Sequence, residues 1–175
     1  MGPLVHQLAW ARVFPRHTTF SRPNCYRAPS WSWASVDGEI SSNLLHRADA
    51  EVAKCKVLPL FDDAPMAEVR GATLAIKISM FSARSADEKV KFWEFYMDSS
   101  TPLGAEEVVW YAFLGWTVSA KGRGLVLMRA SGGRYTRIGM FEIPPGKHGI
   151  ASQPTEKAGV RPAGFPDQQE IITII

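Results

Sequence analysis

The chain is poor in the residues that build metal centres and disulfide frameworks. Of 175 residues only two are cysteine, Cys25 and Cys55, and four are histidine. The cysteines stand thirty residues apart with no partner motif, so they read as free thiols of an intracellular protein. His6, His17, His46 and His148 are scattered, and no His-Glu-x-x-His occurs. Asp62-Asp63 sits among prolines and reads as a solvated turn. The site residues therefore include no metal ligand, and no cofactor is expected. There is no Gly-Lys-Ser/Thr phosphate loop and no Gly-x-Ser-x-Gly elbow. Gly122-Arg123-Gly124 begins like a phosphate loop but lacks a third glycine and runs into a strand. These gaps speak against catalysis, so no catalytic residue is assigned and the expectation is a protein that is not an enzyme.

Long apolar runs are missing too. The longest, Val108–Val118, is 11 residues, against roughly 18 needed to span a bilayer. The first residues lack a basic, then apolar, then small-residue pattern of a secretory leader. The expectation is a cytoplasmic chain with no membrane partner. Acid is absent from residues 1–36, which carry Arg12, Arg16, Arg22 and Arg27, yet the net charge is only +3. That balance does not call for nucleic acid. A second basic group contains Lys121, Arg123, Arg129, Arg134 and Arg137. The plain reading is a polar sheet face. The sharper one makes Arg123, Arg129, Arg134 and Arg137 an interaction patch for an acidic partner.

What is abundant is turn residues and aromatics: 12 prolines, 14 glycines, 9 phenylalanines and 6 tryptophans. Prolines and glycines fall between apolar runs, which favours many short elements. Apolar residues at helical spacing predict a short helix over residues 4–13, and 15–29 reads as an extended connector. Trp31–Val36 reads as a strand burying Trp31 and Trp33 on one face. One helical turn is predicted at 43–50. Strands are predicted at 51–58, at 72–80 by strict alternation, at 90–97, at 108–118 with a bulge at Gly115, at 125–129 and at 135–143. Ser131-Gly132-Gly133 marks a hairpin turn. Residues 144–168 read as a loop, and the apolar run Ile171–Ile175 must dock into the sheet. No strand–helix rhythm occurs. The fold class expected is mainly β: an antiparallel β-sandwich or barrel of about eight strands with one or two short helices. The division expected is an N-terminal helix and connector over 1–29 and one mainly-β domain over 30–175.

Tyr26-Arg27-Ala28-Pro29-Ser30-Trp31-Ser32-Trp33-Ala34-Ser35 resembles a block found in fungal heterokaryon-incompatibility (HET) domain proteins, downstream of the HET domain. Arg22-Pro23 resembles the lead-in to that block, and Asp37-Gly38 follows it. Gly71–Ile76 is similar to the family's next strand, Arg134–Glu142 to its closing segment and Glu170–Ile175 to its C-terminal ending. The HET domain's own Ser-x-Val/Cys-Trp-Gly and Trp-Ile-Asp-x-x-Cys-Ile-Asn-Gln stretches do not occur, and residues 144–169 depart from the pattern. The resemblance implies a region C-terminal to a HET domain, in proteins tied to non-self recognition and cell death. The function it implies is that of a non-catalytic accessory domain whose partner is a protein, either the HET domain in cis or another chain. The alternative is a small β-barrel binding an apolar small molecule, with Phe92, Trp110, Phe113 and Trp116 as lining.

Overall fold

Alternation sets the longest element. Leu74, Ile76, Ile78 and Met80 are buried at every second position, and this two-residue period holds a 16-residue strand, β5 (Val69–Arg84). The computed structural model describes residues 3–13, 22–23, 25–42, 45–61, 63, 69–85, 87, 90–100, 102–145, 162 and 164–175. The chain is mainly β. In order it forms α1 (Pro3–Leu8), β1 (Trp10–Arg12), β2 (Ile40–Ser42), β3 (Leu45–Ala48), β4 (Glu51–Pro59), β5, β6 (Glu94–Met97), β7 (Val108–Thr117), β8 (Gly122–Arg129), β9 (Tyr135–Ile143) and β10 (Glu170–Ile174).

β1 and β2 make a two-stranded sheet, and the other eight strands make one large sheet. β5 is long enough to be shared. Its first part pairs with β4 and with β10, its last part with β7. β7, β8 and β9 follow as antiparallel neighbours, and β10 touches β9 in parallel at Ile174 and Tyr135. The pairings β5–β7–β8–β9–β10–β5 thus close a ring. β10 meets β9 only at that one pair, so the ring closes at a single point.

Two apolar clusters lie on opposite faces of the sheet. One holds Leu74, Ile76, Ile78, Leu114, Leu125, Leu127, Ile172 and Ile174, covered by Val5, Leu8 and Ala9 of the α1 segment. The other is aromatic: Tyr111, Phe113 and Phe141 pack with Trp93 and Phe165, whose rings lie 5.9 Å apart and nearly parallel. The terminal isoleucines dock as expected, with Ile172 and Ile174 buried. Gly132 and Gly133 both take positive φ in the turn between β8 and β9. At Gly115, φ is +150° and the pairing with β8 shifts register. A Cβ there would stand 2.1 Å from the Arg47 carbonyl oxygen, so only glycine fits.

Several local readings need correction. The helix expected over 4–13 ends at Leu8, because residues 10–12 pair with β2 instead. Residues 45–48 are a strand, not a helical turn, since they pair with β7; 43 and 44 lie outside the described residues. Of 90–97 only 94–97 is strand, and Val90 begins a turn closed by Trp93 N–H donating to the Val90 carbonyl at 3.0 Å. Trp31–Val36 is a turn, with a single 3₁₀ turn at Trp33–Ser35. Most of the connector 15–29 between 14 and 21, and the loop from 146 to 161, lie outside the described residues.

Candidate interaction surface and its buried ionic support

The stretch from Tyr26 to Gly38 is built as an anchored turn. Serine makes it one, because short hydroxyl side chains bond nearby backbone and compete with strand pairing. The Ser32 hydroxyl accepts the Ala34 amide at 3.3 Å and caps the 3₁₀ turn. The Ser35 hydroxyl donates to the Ser30 carbonyl at 3.3 Å. Ser30 is the anchor. Its hydroxyl donates to the Ile175 carbonyl and accepts the Arg137 amide at 3.0 Å. Its own amide also donates to the Ile175 carbonyl, at 3.2 Å. One buried serine thus ties the block to β9 and to the end of the chain. The Trp10 indole N–H donates to the Trp31 carbonyl at 3.0 Å, adding β1 to the same knot.

The rings of the block divide. Pro29 is buried and Trp31 packs partly against the aliphatic core. Trp33 is 59% exposed and Tyr26 54%. This corrects the expectation that Trp31 and Trp33 share a buried face: the 3₁₀ turn breaks the two-residue period and turns Trp33 outward. Burial raises the Tyr26 phenol, and a backbone hydrogen bond with Ala72 pulls it the other way. Arg27 and Asp37 pair at 2.9 Å in solvent, an arrangement worth little. Gly38 has φ +100°, and a Cβ on it would meet the Arg12 guanidinium at 3.0 Å.

Two buried ionic groups support the sheet, and the first touches this turn through the bond of the Arg137 amide to Ser30. Arg137 has no exposed surface. Its Nε donates to Asp98 Oδ2 at 3.2 Å, and its Nη atoms donate to the carbonyls of Leu8 at 3.0 Å and Trp10 at 2.8 Å. Its guanidinium carbon stands 3.3 Å from the centre of the Trp10 ring. Arg22 adds a second cation on Asp98, at 2.8 Å, and donates to the Arg137 carbonyl. Burial pulls Arg137 down from its ordinary value, and Asp98 draws it back up; an arginine stays charged under such opposition. In the second group Arg123 meets Glu142 through Nε at 2.9 Å and Nη2 at 2.6 Å, and Lys121 also pairs with Glu142. The Glu142 hydrogen bond raises the Lys121 amine, against burial.

The two arginines share one task. Arg137 takes the carbonyls of Leu8 and Trp10, and Arg123 takes that of Ala9 at 3.2 Å. The Leu8 carbonyl is one of the last acceptors of α1, which a helix leaves unpaired, and those of Ala9 and Trp10 follow directly after it. Two buried guanidiniums therefore clasp the N-terminal segment to β8 and β9.

No protein-family model matches the chain, and neither a curated protein nor a solved structure does.

The four arginines expected to form one patch do not. Arg123 and Arg137 are buried in ion pairs; Arg129 and Arg134 are exposed on either side of the 131–133 turn. The reason is the partner acids, which sequence spacing could not supply: Asp98 comes from 39 residues away and Glu142 from 19. The four aromatics expected to line a cavity are also divided. Trp110 packs on the aliphatic cluster and Phe113 on the aromatic one, because positions three apart on a strand face opposite sides. The bulge at Gly115 brings Trp116 to Phe113, 5.4 Å between ring centres. Phe92 is half exposed. Cys25 and Cys55 are free and exposed. Among the described residues, no group of three or more His, Cys, Asp or Glu could hold a metal ion, and no helix is long and apolar enough to cross a membrane.

Proposed function

We propose that this chain is a non-catalytic accessory domain of a HET-type protein, acting in the cytoplasm by binding a protein, with the HET domain itself as first candidate. The observation that carries the reading is the state of the Tyr26–Ser35 block. Its serines and Pro29 fasten it to the sheet, while Trp33 and Tyr26 stand in solvent. A rigid turn that presents large aromatics suits a binding hot spot, where tryptophan and tyrosine dominate. The resemblance of this block to HET proteins supplies the family context. The small-molecule alternative has no such support, since Trp110 and Phe113 face different clusters.

The test is calorimetric titration of the chain with a purified fungal HET domain, repeated with Trp33→Ala. Binding that falls at least ~10-fold in the variant, with unchanged thermal stability, is the expected result. Equal binding by both chains, or none by either, overturns the reading.

A further inference from the structure

β4 ends the path of the large sheet and pairs with β5 along one edge. Among the described residues no strand pairs with its other edge. Residues 53–58 are all exposed, Val57 and Leu58 by 45% each. An unpaired edge is a template for one more strand, and the lysines, the bulges and Pro59 of β4 restrict which strand can add to it. Register shifts at Val52/Lys54 and Leu58/Pro59 confine the regular stretch to residues 54–58.

The charges and the alternation specify the occupant. β4 has one acid, Glu51 at its start, and its regular stretch 54–58 holds two lysines and no acid. Lys54 and Lys56 lie opposite Ala75 and Thr73, on one face of the sheet. Cys55 and Val57 lie opposite Leu74 and Ala72, on the other. A second copy of this chain fits badly in the register that aligns the two regular stretches through Cys55. An antiparallel pair centred on Cys55 sets each Lys54 against the other copy's Lys56, and like charges directly opposite are destabilising. An acidic strand meets the same lysines with favourable sign.

We propose that the free edge of β4 takes up an extended acidic–apolar segment of a partner protein as an added strand. Two carboxylates, two residues apart, meet Lys54 and Lys56, and apolar side chains cover Cys55 and Val57. The inference rests on reading the chain as an interaction module and names the chemistry of what it binds.

The probe is a fluorescent ten-residue peptide alternating glutamate and valine, with a scrambled peptide of the same composition as control. Anisotropy is read on the full chain at low and high salt, with no HET domain present. The alternating peptide is expected to bind, to slow amide exchange at 54–58, and to weaken with salt. Lys54→Glu with Lys56→Glu should weaken it at least ~10-fold; Lys54→Gln with Lys56→Gln serves if the first variant melts early. Equal binding of the scrambled peptide, no exchange protection, or self-association through β4 overturns the proposal. HET-domain binding that is lost in Trp33→Ala but kept in the lysine variants, with no peptide binding, sinks strand addition and leaves the module reading standing. Peptide binding without HET-domain binding does the reverse.

Discussion

Arg137 and Asp98 form an ion pair with almost no access to solvent: their side chains are 0% and 1% exposed. Met97 on β6 pairs with Gly139 on β9, and this pairing delivers the carboxylate to the guanidinium. Removing one partner of such a pair leaves a buried charge uncompensated. Asp98→Asn is therefore expected to lower stability by about 3–5 kcal/mol. Urea unfolding followed by tryptophan fluorescence measures it. A loss below about 1 kcal/mol would show that the pair is not held as described.

Trp33 and Trp10 should respond oppositely to truncation. Trp10 is 2% exposed and stacked on Arg137, so Trp10→Ala should cost about 3–5 kcal/mol. Trp33→Ala, at an exposed ring, should cost less than about 1 kcal/mol. Thermal melts of both variants under one buffer decide it. Comparable losses would place Trp33 in the core.

Glycine positions offer a paired test. A Cβ on Gly124 would meet the Ala112 carbonyl oxygen and the Phe141 ring, each at 2.3 Å. Gly124→Ala should destabilise by about 1–3 kcal/mol through overpacking. Gly71 has nothing within 4 Å of its added Cβ, so Gly71→Ala should be neutral or stabilise by about 0.4–1 kcal/mol. Denaturant midpoints report the order, and a reversed order would contradict the packing of β7, β8 and β9.

Alkaline pH should weaken the fold through Tyr111. Burial, with Asp87 adding, pushes its phenol up to about 12 from 10.0. The folded state thus resists ionisation that the unfolded chain accepts. The stabilisation is complete below pH 10.0 and is lost as pH rises toward about 12, at up to about 1.4 kcal/mol per pH unit. Tyr111→Phe removes this dependence while keeping the ring. The measurement is unfolding free energy against pH for both chains; parallel curves would assign the loss to other groups.

Much of the architecture was legible in local pattern. The alternation from Ala72 to Met80, the Gly132-Gly133 turn and the β-branched ending each report a backbone state that neighbours along the chain impose. Their strands formed where expected, and the mainly-β class followed from them. The helix was overestimated because Trp10 and its neighbours fit a helical stripe, while pairing with β2 and capture by Arg137 and Arg123 draw them out of it.

The roles of the charged and aromatic side chains were decided by tertiary structure. A lone arginine on a strand reads as a solvated residue, because burial of a charge depends on a counter-charge, and Asp98 lies far away in sequence. Trp33 reads as core from alternation alone; hydrogen bonds within the block bend its backbone, the Ala34 amide to the Ser32 hydroxyl and the Val36 amide to the Trp33 carbonyl, and Ser30 fixes the bent block on β9 and Ile175. The amino-acid order by itself determined where the chain is extended and where it turns, since these are short-range steric and burial preferences. Which rings face water and which charges meet in the core depended on contacts between residues distant in sequence, Asp98 with Arg137 across 39 residues and Ser30 with Arg137 across 107, which only the assembled sheet and its covering segments bring together.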